Sequence, residues 1–125
     1  MRRPELDYIL TTMLESQPEV SDLLFTVDKP LQVEAYGELK PVAIDPPIEK
    51  LTPYQTEAIA LNLIGENQWH IEDLLRRGSC DASYALSDRL RFRVNVFSQR
   101  GLYSIVCRKL NTEIPTIESL KLPEV

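Results

Sequence analysis

At 125 residues with 43% hydrophobic side chains, the chain is sized for one domain with a real core. Its 14 Lys plus Arg against 19 Asp plus Glu leave a formal charge of −5, which argues against a generally basic nucleic-acid binder and confines any anion contact to a local patch. Two cysteines, Cys80 and Cys107, without a C-x-x-C pair, and a single histidine, His70, cannot assemble a zinc set within one chain. No run approaches the ~18 apolar residues of a membrane span, and Met-Arg-Arg-Pro is not followed by the apolar block of a signal peptide. The expectation is a cytoplasmic chain with reduced thiols and no direct membrane insertion.

Leu6, Ile9, Leu10, Met13 and Leu14 recur at helical spacing behind Pro4, which predicts an amphipathic helix over Pro4–Ser16. Two β-prone runs follow, Leu23–Val27 and Leu31–Tyr36, and Gly37-Glu38 turns toward a third around Leu39–Ala43, an antiparallel meander. After the stiff Asp45-Pro46-Pro47 connector, Thr52, Pro53 and Gln55 make a capping-box start for a helix running to about Ile64 and closed by Gly65. A second helix, Gln68–Arg77, carries Trp69, Ile71, Leu74 and Leu75, gathers Arg76 and Arg77 in its last turn and stops at Gly78. Three more strands are predicted: Cys80–Leu86, Arg89–Phe97 across a Ser87-Asp88 turn, and Leu102–Leu110 across Ser98-Gln99-Arg100-Gly101. The sum is an α+β domain, one antiparallel sheet of about six strands with helices on one side.

The four glycines, at 37, 65, 78 and 101, allow neither G-x-x-x-x-G-K-(S/T) nor G-x-G-x-x-G, so the chain has no phosphate-cradling loop. His70 lies in an amphipathic helix beside Trp69 and reads as a rim or partly buried structural histidine rather than a catalytic base. Glu72-Asp73, and Glu34 with Glu38, read as solvated surface without an apolar pocket to shift them. Trp69, Tyr84 and Tyr103 lack the regular interleaving of an RNA-stacking sheet.

What remains is R-L-R-F-R-V-N-V, Arg89–Val96. Alternation places Arg89, Arg91, Arg93 and Asn95 on one strand face and Leu90, Phe92, Val94 and Val96 on the other. From position 89 to 109 the charged residues are Arg89, Arg91, Arg93, Arg100, Arg108 and Lys109, with no carboxylate among them. Two readings stay open. The arginines pair with acids on neighbouring strands, or they form an anion site whose guanidinium forks take phosphate oxygens bidentately, with Arg108 joining from the next strand.

Several blocks carry a family resemblance. Ser21-Asp22-Leu23, followed by the hairpin Val33–Leu39, resembles the S-D-L-H opening and arginine-bearing hairpin of the type IV pilus retraction ATPases (PilT-like) and, more distantly, of type II secretion ATPases. Arg91–Gly101 resembles their R-F-R-V-N-x-(F/Y)-x-Q-R-G signature. Arg108 sits at the arginine of a following strand, and Ile114-Pro115 through Leu122-Pro123 resembles the link toward their nucleotide-binding core. Leu24 stands where the motif has histidine, Val33–Tyr36 replaces the arginine-bearing hairpin, and Ser79-Cys80-Asp81 keeps the aspartate of an E-x-D but not its glutamate.

The resemblance implies a PAS-like N-terminal domain over residues 1–112 and a linker over 113–125 leading toward an absent RecA-like ATPase domain, the chain being cut before the P-loop. It also implies a cytoplasmic, homo-hexameric pilus-retraction (twitching-motility) motor. Such a motor uses ATP and Mg in its full-length form, contacts neighbouring subunits and inner-membrane platform proteins, and has no nucleic-acid partner. No catalytic or metal residue is expected in this stretch. Arg91, Arg93, Arg100 and Arg108 match motif arginines and are the candidates for nucleotide phosphate contact. The contrasting expectation is a stand-alone anion- or partner-binding adaptor with no ATPase attached.

Overall fold

The computed structural model describes residues 2–65 and 67–111. The proposed linker and its I-P and L-P motifs lie outside the described residues. Three helices and six strands follow in the order α1 (Arg3–Glu15), β1 (Val20–Thr26), β2 (Gln32–Ala35), β3 (Glu38–Pro41), α2 (Pro53–Ile64), α3 (Gln68–Arg77), β4 (Ser79–Ser87), β5 (Leu90–Gln99) and β6 (Leu102–Asn111).

The strands form one antiparallel sheet in the order β3-β2-β1-β6-β5-β4. Each half is a meander held by short turns, and the halves join where β1 runs beside β6, Leu23 opposite Cys107 and Phe25 opposite Ile105. Tyr36-Gly37 and Arg100-Gly101 are two-residue turns with positive φ at both positions, the backbone twist that suits a tight hairpin.

The helices cover one sheet face. Leu6, Ile9, Leu10 and Met13 of α1 and Ile59, Ala60, Leu63 and Ile64 of α2 bury against Leu23, Phe25, Val33, Phe92, Val94, Val96, Ile105 and Cys107. Thr52 caps α2 reciprocally: its Oγ1 accepts from Gln55 N at 3.1 Å while its own N–H donates to Gln55 Oε1 at 2.9 Å. Helix α3 is held more loosely. Leu74 is buried and Ile71 partly so, but Trp69 and Leu75 of the same apolar pattern are exposed. His70 is partly buried, as expected, with Nδ1 shielded and without a hydrogen-bond partner among the described residues.

In the β4–β6 half, two details differ from the sequence reading. The β4–β5 turn is Asp88-Arg89, not Ser87-Asp88, because a register shift between Ala85 and Ser87 lets Ser87 pair with Leu90. Arg89 therefore belongs to the turn, its N–H donating to Ser87 Oγ at 3.3 Å, and leaves the strand face on which alternation had placed it. The β5–β6 ladder also runs further, to Gln99 opposite Leu102, which shortens the loop to Arg100-Gly101.

A polar clasp ties α1 to β4. Tyr84 Oη donates to Asp7 Oδ1 at 2.5 Å, Arg3 Nη2 donates to the Ala85 carbonyl at 3.0 Å, and the Arg3 guanidinium lies 4.8 Å from the Tyr84 ring centroid. The two cysteines are free and buried on β4 and β6, with β5 between them. Among the described residues no helix is long and apolar enough to cross a membrane, and no group of three or more His, Cys, Asp or Glu is placed to hold a metal ion.

Candidate anion-binding face

The alternation of β5 is realised residue by residue. Phe92, Val94 and Val96 are buried under the helices, while Arg91 and Arg93 are exposed on the opposite face. Strand β6 brings Arg108 directly opposite Arg93, and Arg91 stands opposite Leu110. Directly opposed side chains have Cβ atoms ~5 Å apart and diagonal ones ~7–8 Å, so Arg91, Arg93 and Arg108 form one triangle of cations. Arg100 does not share it. It occupies the hairpin turn, six residues of strand beyond Arg93 or roughly 20 Å away, with φ of +57°.

The row through this triangle crosses the sheet as Glu34 on β2, Asp22 on β1, Arg108 on β6 and Arg93 on β5, two acids followed by two bases. Asp22 is buried, 6% exposed, and its Oδ1 accepts from Arg108 Nε at 3.2 Å. That hydrogen bond, and then the Asp22 charge, pushes the Arg108 guanidinium above its ordinary value. One residue row along, Asn95 Nδ2 donates to Asp81 Oδ1 at 2.9 Å. Among the described residues, the guanidinium groups of Arg91, Arg93 and Arg100 make no ion pair or hydrogen bond.

Pairing with an acid on a neighbouring strand is realised for Arg108 alone. Its side chain remains 69% exposed, and among the described residues Arg91 and Arg93 stand uncompensated. Two adjacent guanidiniums at a fixed spacing, one anchored, are suited to the oxygens of a phosphate group. The expected surface carboxylates behave as solvated pairs, Glu38 with Lys40 at 3.0 Å and Asp73 with Arg77 at 3.9 Å.

Asp22 is the residue that sequence reasoning missed. The predicted strand began at Leu23, one position too late to include it. The register shift in β1 between Val20 and Asp22 allows Val20 and Leu23 to face the core together, which breaks the simple period. Its signal was an acid in phase with Leu24, readable only with the knowledge that β1 lies beside β6.

No family model matches the chain. It is 35% identical over 121 residues to the type IV pilus ATPase PilU of Pseudomonas aeruginosa, a match covering 97% of this chain and 30% of that protein. Among solved structures, the pilus retraction motor PilT with bound ADP superposes with a TM-score of 0.73 at 33% identity, over 94% of this chain and 32% of that one. The ATPase DotB of Legionella pneumophila gives a TM-score of 0.65 at 23% identity, again over 94% and 32%, a likeness of fold. The chain spans about a third of the length of these relatives, 30% and 32%. In sequence and in architecture, the chain is similar to the N-terminal region of pilus ATPases of the PilT and PilU kind.

Proposed function

We propose that this domain serves a cytoplasmic, hexameric pilus-retraction motor by presenting arginines to the phosphates of a nucleotide held in an ATPase domain, its own chain's or a neighbouring subunit's. The observation that carries the reading is the triangle of Arg91, Arg93 and Arg108 on the sheet face away from the helices, with two of the three uncompensated among the described residues. The pilus-motor likeness supplies the context.

Positive groups held in place beside a γ-phosphate stabilise the charge that develops in phosphoryl transfer. In this reading the domain does not hydrolyse ATP by itself. ATP and Mg are bound by the P-loop domain, and the chain's own residues orient and neutralise. Arg100, far from the triangle, would make a separate contact. The outward surfaces pack against neighbouring subunits of the ring, and the assembled motor acts on inner-membrane platform proteins of the pilus.

The coding sequence past Val125 tests the context: a G-x-x-x-x-G-K-(S/T) within a few tens of residues supports the motor, whereas a natural stop codon favours a stand-alone adaptor. Turnover of ATP by the full-length protein with Arg91, Arg93 or Arg108 replaced by Ala tests the contact itself.

A further inference from the structure

We propose that Asp22 is a positioning residue, which sets the Arg108 guanidinium in the orientation that phosphate recognition requires; this rests on the nucleotide-contact reading above. Asp22 and Thr56 are the buried polar residues among those described. A carboxylate out of water is tolerated where a cation and hydrogen bonds compensate it. Among the described residues the partner that does so is Arg108.

The pair is asymmetric in a way that suits positioning rather than simple neutralisation. The Asp22 side chain is 9% exposed, whereas that of Arg108 is 69% exposed. Contact is made through Nε, the inner nitrogen of the fork. The two terminal nitrogens, with four N–H donors, make no hydrogen bond among the described residues and face solvent with the exposed side chain. A free arginine side chain spreads over many rotamers, so tethering it at Nε removes most of that freedom before an anion arrives.

The flanking residues sharpen the argument. Arg93 stands opposite Arg108 and repels it, while Glu34 lies on the far side of Asp22 and attracts it. The Asp22 carboxylate stands on that same side, between Arg108 and Glu34, and makes the one short contact, so it fixes where the Arg108 head rests and hence the gap to Arg93 that a single phosphate group has to bridge.

The test is ATP turnover by the full-length ATPase that carries this domain, comparing Asp22→Asn, Arg108→Ala, their double variant and Arg108→Lys. Asp22→Asn keeps the shape and removes the charge. It is expected to lower turnover about three- to tenfold, less than Arg108→Ala, because misplacing a group costs less than deleting it. In the Arg108→Ala background the same change is expected to alter turnover by less than about twofold, since Asp22 then has nothing left to position. Arg108→Lys keeps the charge, but one ammonium cannot hold Asp22 and the phosphate together, so it is expected to be impaired nearly as much as Arg108→Ala.

Wild-type turnover in Arg108→Ala would remove the nucleotide-contact reading for this residue. Impairment in Arg108→Ala with wild-type turnover in Asp22→Asn would overturn the positioning role alone, as would full activity in Arg108→Lys. A lower KM for ATP in Asp22→Asn would mark Asp22 as a neutraliser of the site, and an equal loss in both backgrounds would mark it as structural; either outcome overturns the inference.

Discussion

Phe92→Ala, set against Arg93→Ala one residue along, probes the two faces of β5 with neighbouring side chains. Phe92 is 0% exposed. An aromatic side chain buries ~150–250 Å², worth about 4–6 kcal/mol at ~25 cal/mol per Å². The alanine methyl retains part of that, while the void left between sheet and helices adds a penalty, so truncation is expected to cost about 3–5 kcal/mol. Arg93 is exposed and faces the other way, opposite Arg108. Its replacement is expected to fall within about 0.5 kcal/mol of wild type, tilted toward stabilisation because an opposed like charge is removed. Urea unfolding of the 125-residue chain reads both. With a slope of about 1–3 kcal/mol per M, the Phe92→Ala midpoint drops by about 2 M at unchanged slope. Phe92→Leu supplies a milder variant should Ala leave too little folded protein. A loss below about 1 kcal/mol for Phe92→Ala, or a greater loss for Arg93→Ala, refutes the assignment of faces.

Further expectations follow from the caps, the clasp and the buried ionisable groups. Thr52→Ala removes one half of the α2 capping box and is expected to cost about 1 kcal/mol in the same unfolding assay. Tyr84→Phe removes the hydrogen bond from Tyr84 to Asp7 that fastens α1 to β4 and is expected to cost about 1–2 kcal/mol near neutral pH, with faster amide exchange in α1. Burial, then the Asp7 hydrogen bond and charge, raises the Tyr84 phenol above its ordinary value, with Arg3 opposing. Because the folded value lies above the unfolded one, this contribution is fully present below about pH 10 and is lost as pH rises further. The Cys107 thiol is raised by burial and then by Asp22, so its share of stability begins to fall from about pH 9. Urea midpoints measured between about pH 8 and pH 11 are therefore expected to decline in wild type, and the part above about pH 10 to shrink in Tyr84→Phe; equal declines in both would refute the Tyr84 account.

Much of this architecture was legible from local pattern. Pro and Gly bracket α2 and α3, Thr52 and Gln55 announce a cap, and the alternation of β5 separates Phe92, Val94 and Val96 from Arg91 and Arg93, because each rests on contacts within a few residues. What was not legible depends on partners far along the chain. Nothing local indicates that β1 lies beside β6, so the Asp22–Arg108 contact, 86 residues apart in sequence, was invisible. The register shift before Ser87 moved Arg89 into a turn, and the one after Val20 concealed the phase of Asp22. On α3 the apolar pattern overstated burial, since the sheet is wide enough to cover Leu74 but leaves Trp69 and Leu75 in solvent. The triangle itself was largely readable: Arg91 and Arg93 share a face by period alone and the anion-site reading already brings Arg108 in from the next strand, while the ladder between β5 and β6 supplies its register and sets Arg100 apart in the turn.

The account stands most directly on ATP turnover by the full-length protein with Arg91, Arg93, Arg100 and Arg108 replaced singly by Ala. It predicts a loss of about tenfold or more for Arg93→Ala or Arg108→Ala with the domain still folded. Wild-type turnover in all four variants would contradict it.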